Sequence, residues 1–395
     1  MRRLICCGGV LVFVLHLMIG EARAGLVYWS EFGSGNPGSG TIRRANIDGT
    51  GRATLIIGLN QPGLPSLDLA NGQMYWGDTA DGDIRRANVD GTAITPLVTG
   101  LYANASPALD LSHHQMYWDN GVFGSAIASG QIQRAGLDGS AVTPPLVTGL
   151  DQPRQIALDL ADGKMYWADH NTNSPGDIQR ANLDGTGQET LVRNLNGPIS
   201  VALDVRGGKM YWTDANGGDI GRANLDGTGR QTIVPNAGQP VGLALDLHAG
   251  QMYWTDFVSG NQDGEIRRAN LNGTGQAVVL NRLYRPVGIS LDLMLPGDAN
   301  GDGNVDFSDL LILAQNYGKG PGELFKDADF NSDGSVGFDD LLILAQNYGT
   351  GTAAAQVASV AVPEPSSPAI VCLIALASSG NRIRKRAWRS QILSH

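Results

Sequence analysis

Cysteine is almost absent from this chain of 395 residues, and the few that occur stand at its ends. The three are Cys6, Cys7 and Cys372. The long middle of the chain therefore contains no disulfide framework and no cysteine-based metal site. Its stability must come from packing and, locally, from bound ions.

Basic residues are also scarce. Lys and Arg number 28 against 38 Asp and Glu, which gives a formal net charge of −10. Acidic residues concentrate in 297–350, and the bases form no patch in the body of the chain. This balance argues against nucleic acid as a partner.

What the sequence does contain is a sixfold repeat. Each copy has a Tyr-Trp pair, then an Ile, an Asp-Gly or Asn-Gly turn, and a Leu-Asp pair. The pairs are Tyr28-Trp29, Tyr75-Trp76, Tyr117-Trp118, Tyr166-Trp167, Tyr211-Trp212 and Tyr253-Trp254. Each copy is typical of four short strands, since Asp-Gly between apolar runs is a strong hairpin signal. Four strands repeated at this spacing predict the blades of a β-propeller.

The register of the repeats predicts how the ring closes. The chain enters at the second strand of a blade, at Tyr28, and leaves after a lone first strand, 287–293. That last strand can pair into the first blade, so that neither end leaves a long open edge. The expected fold is mainly β: a six-bladed propeller of four-stranded blades closed by its C-terminal strand, plus a small α-helical domain with paired calcium loops.

Two of the repeats carry the words Tyr-Trp-Thr-Asp, at 211–214 and 253–256. They resemble the YWTD repeat of the low-density lipoprotein receptor family, and the resemblance covers residues 25–295. It implies a six-bladed propeller whose aromatics pack between blades and whose aspartates bond to neighbouring backbone. Animal members of the family also bind proteins on one face.

Length variation in the repeats lies almost entirely between the second and third strands. From Trp to the third-strand Ile the gap ranges from 8 to 14 residues, whereas the other gaps are nearly constant. Because repeat insertions on one face commonly mark a binding face, we expect the ligand there. The candidate residues are Glu31, Phe32, Phe123, His170 and Phe257, with Tyr102, Arg154 and Tyr284 from the connections between blades.

The repeated aspartates could be mistaken for catalytic carboxylates. They recur once per blade in the same place, whereas a catalytic group should be singular, so a structural role is expected. The chain has no serine nucleophile elbow and no H-E-x-x-H, and no cluster of unrepeated carboxylates or histidines is evident. Binding is therefore favoured over catalysis, although enzymatic activity stays open because some propellers are enzymes.

Two acidic segments near the C-terminus match calcium loops. Oxygen-bearing residues alternate in each, and a glycine stands at the sixth position for the sharp turn. The predicted ligands are Asp298, Asn300, Asp302, Asn304, Asp306 and Asp309 in the first loop, and Asp329, Asn331, Asp333, Ser335 and Asp340 in the second. The cofactor predicted for this module is calcium.

A similar helix follows each calcium loop, and no helix precedes the first one. Residues 297–350 therefore resemble a type I dockerin, a family whose members plug into cohesin domains of polysaccharide-degrading assemblies. The partner-setting positions carry Phe307-Ser308 and Phe338-Asp339 instead of a small hydroxyl pair. A cohesin-like partner and a calcium-stiffened spacer therefore both remain open.

The two ends of the chain are interpreted as targeting segments. Residues 1–24 have a basic start, an apolar run and an Ala-Arg-Ala site, which predicts a signal peptide; a membrane anchor is the alternative. A linker, 351–361, leads to 362–389, where Val-Pro-Glu-Pro precedes an apolar stretch and a basic cluster. This tail resembles the PEP-CTERM sorting signal, which implies an exosortase-type enzyme and membrane contact only through the tail; a disordered tail is the alternative.

Together these features predict an exported protein of the cell envelope or surface, released if the tail is processed. Its propeller would recognise a protein or glycan, as a binding or scaffold module. A polysaccharide-degrading component, a hydrolase or lyase tethered by the dockerin-like module, is the alternative, and a purely structural surface protein is a third.

Overall fold

The computed structural model describes residues 25–349, apart from short gaps. The gaps are 35, 102–105, 121–129, 171–174, 248, 259–262, 294, 301–304, 321–326 and 331–334. The chain divides into two compact units, Met1–Gly351 and Thr352–His395, and every described residue belongs to the first. The predicted signal peptide, linker and sorting tail lie outside the described residues. Among the helices described, none is long and apolar enough to cross a membrane.

Twenty-four strands in the described part form six four-stranded antiparallel sheets, one for each predicted blade. In chain order the strands are β1 (Leu26–Glu31), β2 (Gly40–Asn46), β3 (Ala53–Leu59), β4 (Ser66–Asp68), β5 (Gln73–Asp78), β6 (Asp83–Asn88), β7 (Thr95–Thr99), β8 (Ala108–Asp110), β9 (Gln115–Asn120), β10 (Gly130–Gly136), β11 (Val147–Leu150), β12 (Pro153–Asp159), β13 (Lys164–Asp169), β14 (Gly176–Asn182), β15 (Glu189–Leu195), β16 (Pro198–Asp204), β17 (Lys209–Asp214), β18 (Asp219–Asn224), β19 (Gln231–Val234), β20 (Pro240–Asp246), β21 (Gln251–Asp256), β22 (Gly264–Asn270), β23 (Ala277–Leu283) and β24 (Pro286–Asp292).

The last strand closes the first blade, as the register of the repeats predicts. The sheet of blade 1 has the order β24-β1-β2-β3, and the other five sheets each use four consecutive strands. Leu26 pairs with Asp292 and Trp29 with Ile289, in antiparallel register. The predicted six-bladed architecture and its closure are confirmed.

The Tyr-Trp pair explains why neighbouring blades adhere. Successive side chains of a strand point to opposite faces of the sheet, so each pair sends one ring towards each neighbouring blade. Tyr166 and Trp212, from consecutive blades, lie in one core cluster, and Tyr253 of the last blade lies with Trp29 of the first. All twelve rings are buried. Burying an aromatic ring stabilises the fold by roughly 5 kcal/mol before entropy is subtracted.

The repeated aspartates bind backbone. In four blades the aspartate that ends the second strand accepts hydrogen bonds from the connection between blades, for example from Asn60 N to Asp78 at 2.8 Å and from Gln239 N to Asp256 at 2.8 Å. The Leu-Asp carboxylates hold the next turn, as Asp246 does by accepting from Ala249 N at 2.8 Å. Their recurrence is therefore structural, as expected.

Two short helices follow the propeller, α1 (Phe307–Asn316) and α2 (Phe338–Asn347). They share a small core of their own that includes Val305, Leu313 and Leu344. Asp306 caps α1 by accepting a hydrogen bond from Ser308 N at 2.7 Å. The predicted helix after each acidic loop is present.

Candidate functional site

One residue position recurs around the mouth of the central channel, directly after the aspartate that ends the second strand. In five blades its backbone N–H donates to a carbonyl of the preceding connection between blades, at 2.9 to 3.2 Å. We call these five residues the rim: Phe32, Thr79, His170, Ala215 and Phe257. Three of the predicted ligand-binding residues, Phe32, His170 and Phe257, thus occupy equivalent positions.

Two of the rim residues touch because the ring closes between blades 6 and 1. The rings of Phe32 and Phe257 lie edge to face with centroids 6.4 Å apart. The Arg285 guanidinium lies over both, 5.7 Å from the Phe32 centroid and 5.2 Å from that of Phe257. These three residues are called the aromatic clamp below. Cation–π contact at such distances stabilises a guanidinium and fixes its position.

The aromatic clamp departs from the repeat in its side chains. The backbone of Arg285 does not: its φ of +53° lies in the left-handed region, as does that of Gln61 at the equivalent position of blade 2. At the equivalent position the other blades that begin with proline carry glutamine or glycine. Beside it, Glu31 replaces the usual aspartate, and its carboxylate accepts from Trp29 Nε1 at 2.9 Å and faces Arg43 at 3.5 Å.

The contacts with Trp29 and Arg43 hold Glu31 within its own blade. The residue is only 4% exposed. Of the other predicted residues, Phe123 and Tyr102 lie outside the described residues, and Tyr284 is half-buried. His170 is half-buried, and burial and then Arg154 lower its pKa.

Inside the rim lies a cavity of about 210 Å³. Its wall consists of residues at or just before the start of the innermost strand of each blade, which is β4, β8, β12, β16, β20 or β24. Most of the surface of this wall is apolar. The lining includes Gly63, Leu64, Ser106, Arg154, Gln155, Ile199, Val241, Gly242, Val287 and Gly288, with Phe32 and Phe257 at the opening. Arg154 is the one charged residue in this lining. Blades of the same pattern have Ile199, Val241 or Val287 in its place.

Next to Arg154 lies a carboxylate that the repeat does not predict. Asp119 stands where three other blades have threonine or serine and two have glycine or alanine, and it is 1% exposed. In those blades the hydroxyl joins two innermost strands: Thr213 Oγ1 accepts from Ser200 N at 3.0 Å and donates to the carbonyl of Val241 at 2.8 Å. Asp119 Oδ1 is buried, with no hydrogen bond in the described part.

Burial dominates the electrostatics of this pair. It raises the pKa of Asp119 to about 8, and the Arg154 charge counters only part of the effect. Burial also lowers the pKa of Arg154 to about 10, against the attraction of Asp119 and then Asp169. Asp169 in turn has a pKa raised to about 6 by burial. In the described part of the chain, the channel wall therefore contains an acid–base pair that joins two neighbouring blades, through Asp119 on β9 and Arg154 on β12.

Sequence reasoning missed Asp119 as a site residue, although the signal was visible. The words Trp118-Asp119-Asn120 depart from the repeat by placing an acid at its threonine position. A deviation in one blade of a repeated ring is singular in space, and singularity is what a binding or catalytic group requires.

The calcium loops are described in part. Asp298, Asp309, Asp329 and Asp340 are each at most 4% exposed, whereas Asn300 is exposed and Asp306 and Ser335 are intermediate. Asp309 accepts from Asn300 N at 3.1 Å and from Asp306 N at 2.8 Å, and Asp340 accepts from Phe330 N and Gly337 N, both at 2.8 Å. The predicted ligands Asp302, Asn304, Asn331 and Asp333 lie outside the described residues.

These residues fit calcium in their chemistry. Buried carboxylates are costly without a cation or hydrogen bonds, and calcium prefers oxygen ligands. The described residues alone contain no group of three or more His, Cys, Asp or Glu side chains placed to hold a metal. The carboxylates present are thus compatible with calcium and do not by themselves form a complete site.

Comparison with known families agrees with this geometry. Residues 208–247 match the low-density lipoprotein receptor repeat class B, and residues 296–347 match the dockerin type I domain. The chain thus joins a six-bladed propeller that contains a repeat of this class to a segment that matches the dockerin type I domain. The predicted resemblances to both families are confirmed, since the six-bladed architecture accompanies the repeat match.

Similar proteins support the propeller assignment and extend it little further. A low-density lipoprotein receptor-related protein 1 of Pyricularia oryzae is 40% identical over 65 residues, 16% of this chain and 20% of that protein. A human low-density lipoprotein receptor-related protein 5-like protein is 35% identical over 63 residues, 16% of this chain and 24% of its own. This chain thus matches about a fifth of the length of these relatives.

A solved structure, the nidogen/laminin complex, has the same fold as the YWTD propeller. It aligns with a TM-score of 0.57 and 20% identity, covering 68% of this chain and 98% of that one. TolB from Acinetobacter baumannii aligns with a TM-score of 0.55 and 11% identity, covering 69% and 67%. At these identities the likeness shows the fold alone.

Proposed function

We propose that this chain is an exported binding and scaffold protein of the cell surface. Its YWTD propeller would recognise a protein or glycan through the face that bears the rim, and its dockerin would attach it to a partner in the presence of calcium. The observation that carries the proposal is the rim itself, where the aromatic rings of Phe32 and Phe257 stand at positions that carry small residues in other blades, with the Arg285 guanidinium beside them.

The rim supports recognition of an extended ligand. Phe257 and Phe32 offer ring faces, which favour apolar and sugar surfaces, and aromatic residues dominate binding energy at interfaces. The six Trp rings of the blades are buried between blades and are not available for contact. Recognition therefore falls to the residues that follow the second strands.

The dockerin supports attachment to a second protein. Phe307 is 61% exposed and Phe338 is 60% exposed, and each begins its helix at the same position of its half. Two large exposed apolar side chains in matching places favour a protein partner, of cohesin type, over a bare spacer. Calcium bound in both loops would neutralise the buried carboxylates and hold the two helices in place.

Export and surface attachment complete the proposal. They rest on the sequence of residues 1–24 and of 362–389, the latter as substrate of an exosortase-type enzyme. A protein without a disulfide framework that carries calcium loops suits a calcium-rich exterior.

The test is a retention assay. The full chain, with calcium, is incubated with a panel of insoluble polysaccharides and with immobilised cohesin domains, and both retained protein and released sugar are measured. We expect retention without sugar release, reduced at the propeller by Phe257→Ala and unaffected by Thr79→Ala, which changes a small residue of the same rim.

Two results would contradict the proposal in different ways. Sugar release would identify the polysaccharide-degrading alternative. Retention equal in Phe257→Ala and in the parent chain would remove the rim from recognition. Chelation of calcium separates the modules, because it should abolish cohesin binding and spare binding at the propeller.

A further inference from the structure

The cavity inside the rim combines an apolar wall with one embedded cation. Equivalent positions of the innermost strands carry Ile199, Val241 and Val287, and Arg154 alone brings a charge to the described lining. The Arg154 side chain is half-buried, and it lines the cavity. A guanidinium in an apolar wall is a recognition group for an anion, since it offers paired donors in a fixed plane.

The opening of the cavity carries a second cation. Arg285 lies against Phe32 and Phe257, and its Nε is buried without a hydrogen bond within the described residues. No ion pair involves its guanidinium in that part of the chain.

We propose that this cavity binds a small organic anion: a carboxylate attached to an apolar body the size of one ring. The carboxylate pairs with Arg154 in the wall, the ring lies inside the cavity against Phe32 and Phe257 at the opening, and Arg285 stands beside these two rings. The chemistry is the same whether the acid is free or is the end group of a polysaccharide.

The dimensions favour a single ring. Cavities for drug-sized ligands range from about 300 to 1,000 Å³, so a cavity of about 210 Å³ admits a fragment. The glycine Gly288 keeps the wall closely packed, because a Cβ added there would lie 2.4 Å from the Leu64 Cα. The backbone segments are already in contact at this point, so the wall has no room for a larger residue.

Two carboxyls, Asp119 and then Asp169, attract Arg154. Asp119 is fully enclosed, and burial raises its pKa to about 8, so it holds its proton near neutral pH, whereas burial raises the pKa of Asp169 only to about 6. An anion arriving at Arg154 therefore competes with Asp169 and meets a neutral acid in Asp119.

The test measures binding of defined probes to the full chain by isothermal titration calorimetry at pH 7. The probes are benzoate, its neutral analogue benzamide, acetate as a carboxylate without a ring, and glucuronate as a carboxylate on a sugar. We expect benzoate to bind about tenfold more tightly than benzamide, because benzamide lacks the charge of the bidentate pair with Arg154. We expect it to bind about tenfold more tightly than acetate, because acetate lacks the ring that fills the cavity. Comparable binding of glucuronate would indicate a saccharide end group as the source, and its failure a free acid.

The variants use residues that the repeat itself tolerates. Arg154→Val combined with Asp119→Thr introduces the residues that other blades carry at these two positions. Arg285→Gln likewise introduces, at the opening of the cavity, a residue that other blades carry. Each should weaken benzoate about tenfold and leave the melting temperature unlowered. Arg52→Gln, which removes an exposed charge from the β2–β3 turn, is the control and should change nothing.

The proposal is overturned if benzoate does not bind, if benzamide equals it, or if both variants bind benzoate like the parent chain. It stands apart from the function proposed above, because retention on a polysaccharide or a cohesin does not require an anion in the cavity. Either can therefore fail while the other holds.

Discussion

The stability of the propeller should fall as the pH rises from 4 to 8 because of buried carboxyls: Asp78 and Asp169, whose pKa burial raises to about 6, and above all Asp119. Its carboxyl is 1% exposed, and burial raises its pKa from 3.8 to about 8. Between these values the unfolded chain loses the proton while the folded chain keeps it. The folded state is therefore penalised progressively as pH rises, and the penalty is complete above the folded pKa.

The size of the effect follows from the shift. Each pKa unit corresponds to 1.36 kcal/mol, so a shift from 3.8 to about 8 gives an upper value of about 5–6 kcal/mol. Partial relaxation around the pair reduces this figure, and we expect several kcal/mol. Asp119→Thr removes the ionisable group and supplies the hydroxyl that Thr213 uses in its own blade.

The assay is urea unfolding of the full chain at pH 4.5, 6.0, 7.0 and 8.5. At pH 4.5 Asp119→Thr and the parent should differ little, and by pH 8.5 the variant should be more stable by several kcal/mol. Asp119→Asn, a neutral residue of the same shape, should follow the variant. Parallel stability curves of parent and Asp119→Asn across this pH range would show that Asp119 is ionised in the fold, and the reasoning would be refuted.

Three further outcomes are expected. Gly185→Ala should destabilise the propeller by about 3 kcal/mol in urea unfolding, because the φ of Gly185 is +88° and a Cβ there would lie 2.0 Å from a carbonyl oxygen of the preceding blade. Gly163→Ala should cost only about 1 kcal/mol in the same series, because Gly163 has a φ of +62° but open space around the added Cβ. Thr255→Val should cost about 1–3 kcal/mol by thermal unfolding, because the hydroxyl joins two innermost strands at 2.8 Å on each side; no change would refute its role. Chelation should reduce the helical circular dichroism signal, and Asp309→Asn with Asp340→Asn should remove the calcium response, which an unchanged spectrum would contradict.

The sequence predicted the fold because one series of motifs recurs six times along the chain. The order of the motifs and the nearly constant gaps outside the loop after Trp set blade number, strand order and the closing strand, and alternation along the second strand set which ring faces which blade. Such information is local, and local patterns are what a sequence displays directly.

The site was predicted only where it repeats. Phe32, His170 and Phe257 were found because the loop after the second strand varies, whereas the contact between Phe32 and Phe257 depends on closure of the ring. The meeting of Asp119 with Arg154 joins neighbouring blades, and its electrostatics depend on burial. Neither follows from spacing along the chain.

The closing strand also determines how a pull would travel through this molecule. β24 is followed within a few residues by the dockerin, so a tug on an attached partner reaches β24 before any other strand. The strand begins at the rim side with Pro286 and ends at the opposite side with Asp292. A ligand held at the rim and a partner held beyond Asp292 would load β24 lengthwise, so that its hydrogen bonds to β1 resist together and do not open one after another. The pairing of β24 with β1, which closes the ring, is thus oriented to resist tension between the ligand proposed at the rim and the partner proposed for the dockerin.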